Sequence, residues 1–143
     1  MTTMSPGIAL ITLARAHRYW FGERLAELGL HVGQELLLQA LAEAGPSVLQ
    51  SQLTARLGVE RATTSKALAR LERDGYVTRD RPGRGGHVRL TEDGIRLIPA
   101  IDELWSQSDR LLERALGTQT TAFTRAMHDA TESFRNAKKA PAT

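Results

Sequence analysis

Arg61, Lys66, Arg70 and Arg73 recur along a stretch, Arg61 to Asp74, whose apolar residues fall at helical spacing. Advancing ~100° per residue from Thr64 brings Leu68 and Leu71 to the side of Thr64, with Ala67 nearby, and that side packs inward. The opposite side carries Ala62, Lys66, Ala69 and Arg73, flanked by Thr63, Ser65 and Arg70. Small side chains let a helix approach a groove closely, hydroxyls and lysine reach base edges, and arginine holds phosphates. The chemistry on offer is recognition of a polyanion. A face built only for water would carry paired glutamates and lysines, whereas the acids here, Glu72 and Asp74, stand in the last turn.

A second basic element follows at Arg81-Pro82-Gly83-Arg84-Gly85-Gly86. No helix N-terminus with a Lys-Ser/Thr pair succeeds it, so it does not read as a phosphate loop of the nucleotide-binding kind. A wing that sends Arg84 into a minor groove accounts for it better, with a plain surface turn as the alternative; Arg81 joins the DNA-binding set, and His87 either touches phosphate or is simply an exposed strand residue. Charge along the chain agrees. Between Leu49 and Thr91, nine basic and four acidic residues leave +5, while the other hundred residues, ten basic and twelve acidic, leave −2. Positive charge gathered in one segment suits a face that meets a polyanion.

The same inventory argues against catalysis. His17, His31, His87 and His128 stand singly, none at a ligand-like spacing from a carboxylate, and no nucleophile motif or dinucleotide fingerprint occurs. No cofactor and no metal is called for. With no cysteine, disulfides, thiolate metal sites and cysteine-based redox sensing are excluded. No stretch approaches the roughly 20 apolar residues of a membrane span. The opening residues lack the positive charge of a secretory signal, so a cytoplasmic setting fits. Arg15, Arg18, Tyr19 and Trp20 could line a pocket for an aromatic acid. Alternatively, the aromatics are core and the arginines are solvated or paired with Glu23 and Glu27.

The elements that must position these groups are mainly helical. A first helix spans 8–28 and stops at Gly29; a second runs from about Val32 to Ala44 and ends at Gly45-Pro46. Two short helices follow, about Leu49 to Leu57 and Arg61 to Asp74, with Gly58-Val59 as the turn and Gly75 as the stop. Tyr76-Val77 and His87 to Leu90 read as a β-hairpin. Thr91 then caps a helix that passes Pro99 and reaches about Leu116, and a last helix runs to about Lys138. Residues 139–143 read as a disordered tail. Nothing in the central unit is large enough to cover Trp20, Phe21, Trp105, Leu111, Leu112, Phe123 and Phe134, so a second copy of the chain is expected to.

The run "LTARLGVERATTSKALARLERDGYVTRD" followed by "GRGGHVRLTEDG", with "LAELGLHVGQELLLQALAEAG" upstream, resembles the core of the multiple-antibiotic-resistance regulator (MarR) family. The resemblance implies one domain over 1–143, mainly α with a small β-hairpin. Residues 32–91 would form the winged helix-turn-helix, and 8–28 and 92–138 the long dimerisation helices. It implies a homodimeric transcription regulator, a repressor, reading a pseudo-palindromic operator in double-stranded DNA, with the helix at Arg61 in the major groove and the hairpin tip in the minor groove. It also implies a response to a small anionic or phenolic effector. A winged-helix module that binds protein rather than DNA is the alternative, although such modules usually lose the cations that Lys66, Arg70 and Arg73 supply. Two departures stand out. The Asp-x-Arg wing motif is shortened to Pro82-Gly83-Arg84, so the acid that would fix Arg84 is either absent or supplied by Asp80, and Glu60 occupies a position where a Ser or Thr cap is common.

Overall fold

The computed structural model describes residues 4–81 and 86–139. Pro6 opens the first helix, α1 (Pro6–Glu27); its missing N–H is no loss there, and its fixed φ suits the first turn. The helix thus starts two residues before the expected position. Gly29 ends it at φ 75°. Helix α2 (Gln34–Ala44) begins at Gly33, whose φ of 102° only glycine adopts cheaply. It is the central helix, burying Leu37, Leu38, Ala40 and Leu41.

After Gly45-Pro46 the chain extends through β1 (Val48–Leu49) and turns into α3 (Gln50–Leu57), where Gln52 Oε1 accepts the Leu49 N–H at 3.3 Å. Gly58, at φ 64°, turns the chain toward α4 (Arg61–Arg73). Strands β2 (Val77–Arg79) and β3 (His87–Leu90) follow. The expected two-stranded hairpin is in fact the larger part of a three-stranded antiparallel sheet, ordered β1-β3-β2. Val88 pairs with Val48 on one side and with Arg79 on the other. Two residues are too few to show alternation, which is why β1 escapes a reading by periodicity.

The core joins α1 (Phe21, Leu25), α2, Leu53 of α3, Leu68 and Leu71 of α4, and Val77 and Val88 of the sheet. Helix α5 (Glu92–Leu116) contributes Ile101 and Leu104. Its start is held by Thr91, whose hydroxyl donates to Gly75 O at 2.6 Å and accepts the Gly94 N–H at 3.1 Å. The Thr91 N–H meets Tyr76 O at 3.0 Å. Gly94 lies so close to the strand that a Cβ there would stand 2.2 Å from Tyr76 O.

Farther along α5, Trp105 Nε1–H donates to Gln39 Oε1 at 2.9 Å, and Gln39 Nε2–H donates to Asp102 at 3.0 Å. Phe21 packs on Trp105 with ring centroids 4.4 Å apart, and His17 stacks on both. This corrects one expectation. Phe21 and Trp105 find partners within their own chain, and Phe21 is 2% exposed without a second copy.

Packing divides the chain into two units, Met1–Trp105 and Ser106–Thr143. The second contains the rest of α5, a single 3-10 turn (Gly117–Gln119) and α6 (Thr120–Lys139). No residue of α6 is buried, and Phe134 is 72% exposed. Of the expected tail, Lys139 ends α6 and the rest lies outside the described residues. Among the described residues no helix is long and apolar enough to cross a membrane.

Candidate nucleic-acid interface

Helix α4 takes the orientation that its periodicity predicts. Thr64, Leu68 and Leu71 are buried, while Arg61, Ala62, Thr63, Lys66, Arg70 and Arg73 are exposed and Ser65 is half-buried. The Thr64 hydroxyl donates to Glu60 O at 3.3 Å and so spends its polarity within the first turn. Glu60 occupies the N-cap position without a side-chain capping bond, as its length leads one to expect. Arg70 and Arg73 also complement the negative end of the helix dipole in the last turn.

The root of the wing is organised by Asp80. Its backbone N–H meets His87 O at 3.2 Å, and its Oδ1 accepts the His87 N–H at 2.7 Å. Its Oδ2 lies 3.4 Å from His87 Nδ1. Asp80, two residues before Pro82, is thus tied to His87 by backbone and side chain alike. His87 is not the solitary histidine that sequence spacing suggests, because the antiparallel pairing brings it across to a carboxylate. Arg81 is exposed beside it. Arg84 lies outside the described residues.

Two of the nine cations in the basic segment do not serve as free surface charge. Arg56 pairs with Glu43 at 2.7 Å. Arg79 turns inward, its side chain 5% exposed, with Nη2 at 3.3 Å from Glu72 Oε1. The alternation of the strand already contained this result, because Val77 and Arg79 share a face and Val77 is 1% exposed.

Beside the exposed face of α4 lies a cavity of about 350 Å³, lined by His31, Gln34, Leu37, Leu57 and Val59 together with Thr63, Lys66, Ala67 and Arg70. Gln34 is 3% exposed, and its Oε1 accepts the His31 N–H at 2.8 Å. This cavity escaped the sequence reading, which looked to α1. There, Arg15, Arg18 and Tyr19 do border a shallow hollow with Gly22, Glu23 and Val32. Trp20 belongs instead to the aromatic cluster, with the Arg24 guanidinium 4.0 Å above its ring. Nearby, Glu35 is buried and accepts the Gly33 N–H at 2.7 Å. Burial pushes its carboxyl above the usual range, opposed by backbone hydrogen bonds and the Arg18 charge.

The sequence model of the MarR family matches residues 28–86. A MarR transcriptional regulator from Methanosarcina mazei Go1 superposes with a TM-score of 0.78 at 26% identity, over 92% of this chain and 90% of that one. The PcaV transcriptional regulator from Streptomyces coelicolor, solved in complex with its natural ligand, gives 0.76 at 24% identity, over 92% and 98%. A mutant MarR from E. coli complexed with operator DNA gives 0.74 at 21% identity, over 87% and 91%. No curated protein matches the chain. A helix-turn-helix with Gly58 at its turn, a three-stranded sheet and long flanking helices give the chain the fold of these regulators, and its residues 28–86 are similar to the MarR family model.

Proposed function

We propose that the chain is a homodimeric, sequence-specific DNA-binding regulator of transcription. It represses by holding a pseudo-palindromic operator and lets go when a small anionic or phenolic ligand binds, and it catalyses no reaction. The observation that carries this reading is the outward face of α4. Cations and hydroxyls stand there on small residues, and no acid occurs in the helix before Glu72. Such a face meets phosphates and base edges at once. The reading takes Arg61, Ala62, Thr63, Ser65, Lys66, Arg70 and Arg73 as the major-groove set, with Arg81, Arg84 and His87 serving the wing.

A second copy is the partner that suits the remaining surface. Met4, just ahead of α1, and Ile8 and Ile11 in its N-terminal half are 57%, 59% and 52% exposed, and α6 exposes Phe134. Apolar exposure on this scale marks an interface. Lys66 and Arg70 at the rim of an apolar cavity give a small organic anion a place to compete with DNA.

The test is a mobility-shift titration of the purified protein on DNA flanking its own gene, across salt concentrations and with nonspecific competitor. Selective binding that falls by several units of log-log slope with salt supports the reading. Binding that competitor removes completely would leave the protein-interaction module as the better account.

A further inference from the structure

We infer that Arg79 is a positioning residue that fixes the wing relative to the recognition helix, acting from inside the protein and touching no DNA itself. The inference rests on the DNA-binding reading just proposed.

Three observations carry it. First, Arg79 is the last residue of β2, and its partner in the register is Val88, which is 0% exposed. An interior-facing strand position of this kind ordinarily holds an aliphatic side chain. Second, Arg79 Nε and Nη1 are buried without a hydrogen-bond partner among the described residues, and Nη2 meets the Glu72 carboxylate at 3.3 Å. A desolvated guanidinium with one partner and two idle donors is a poor device for stability, since a well-packed apolar side chain of similar volume commonly does as well or better. Third, the pair joins two particular elements, the last turn of α4 and the strand that leads into the wing. The other leg of the wing is tied separately, by the Gln50 N–H at the start of α3 donating to Gly86 O at 2.9 Å. Each leg thus hangs on one helix of the helix-turn-helix.

What an ion pair adds over an aliphatic contact is direction. The planar fork of Arg79 can meet Glu72 in few orientations, whereas an aliphatic contact would tolerate sliding of the strand along the helix. The strand's next residues are Asp80, which clamps His87, and exposed Arg81. An error at Arg79 is therefore passed directly to the wing.

Arg79→Met keeps the volume and removes the charge, and Glu72→Gln weakens the same link from the other side. Both are expected to fold, with melting temperatures near or above wild type for Arg79→Met. In the free protein, hydrogen exchange of the Asp80 and His87 amides should accelerate about tenfold in each variant, because those amides lock the wing's root. On the duplex that the shift titration selects, Arg79→Met should lose about tenfold in affinity. Arg81→Ala should then cost nothing more in that background, while Lys66→Ala keeps its full penalty, the pattern of coupled and independent sites. Unchanged exchange at Asp80 and His87, or an Arg81→Ala penalty that adds in full, would overturn the inference. If wild type selects no duplex, the DNA-binding reading falls, and the exchange experiment still decides whether Arg79 holds the wing.

Discussion

Replacing Gly94 by alanine forces a choice between a helix and a strand. The new Cβ would stand 2.2 Å from Tyr76 O, against 3.4 Å for ordinary contact, so the first turn of α5 must lift by more than an ångström. That movement breaks the 3.0 Å bond from the Thr91 N–H to Tyr76 O and stretches the 2.6 Å bond from its hydroxyl to Gly75 O. Two hydrogen bonds are worth about 1 kcal/mol each, and overpacking adds roughly 1–3 kcal/mol. Alanine's better helix propensity returns at most about 1 kcal/mol. A net loss of about 2–4 kcal/mol corresponds to a drop in Tm of roughly 6–12 °C for a chain of this size. Thermal unfolding by circular dichroism reads it directly. Gly7→Ala serves as the internal control, because the nearest atom to its Cβ is Ser5 Oγ at 3.8 Å; it should raise stability by about 0.5–1 kcal/mol. A Gly94→Ala protein that melts with or above wild type would refute the account of this junction.

Lys66→Ala should cost about 1–3 kcal/mol on the cognate operator and relax discrimination at one base pair; a loss that is equal over all sequences would make Lys66 a phosphate contact. Glu35→Gln should raise Tm at neutral pH and leave it unchanged below the ordinary carboxylate range. The raised carboxyl contributes stability only while protonated, and that contribution is lost as pH rises through its folded-state value. Melting curves from about pH 4 to 8 decide this, and a constant offset between the two proteins would remove burial as the cause. Truncation after Leu116 should leave a monomer by light scattering. A stable truncated dimer would take the dimer contact away from α6.

Much of the fold is legible because glycine marks its punctuation. Gly29, Gly45, Gly58 and Gly75 all take positive φ, and each stops a helix where composition says it must. The inward side of α4 is legible because Thr64, Leu68 and Leu71 recur at helical period with nothing to contradict them. What escaped did so for physical reasons. Strand β1 exists through its pairing with β3, which no local property of Val48 and Leu49 announces. Gly33 starts α2 in a conformation that glycine permits but does not demand. Arg79 adds to the charge of the basic segment although it faces inward, because charge counting is blind to alternation, and His87 looks solitary in the sequence because Asp80 reaches it across a hairpin. The cavity beside Lys66 depends on how α2 and α4 face one another, which periodicity within either helix cannot supply.

The aromatic cluster of α1 and α5 has an optical consequence. The chain contains two tryptophans, Trp20 and Trp105. One sits under the Arg24 guanidinium, the other stacks with His17 and donates its indole N–H to Gln39. Phe21 lies between them, 6.1 Å from one ring and 4.4 Å from the other. The tryptophan fluorescence of the protein therefore originates at a single place, where α1, α2 and α5 meet. Any shift of those three helices will register in emission without a label, and events confined to the wing will be silent.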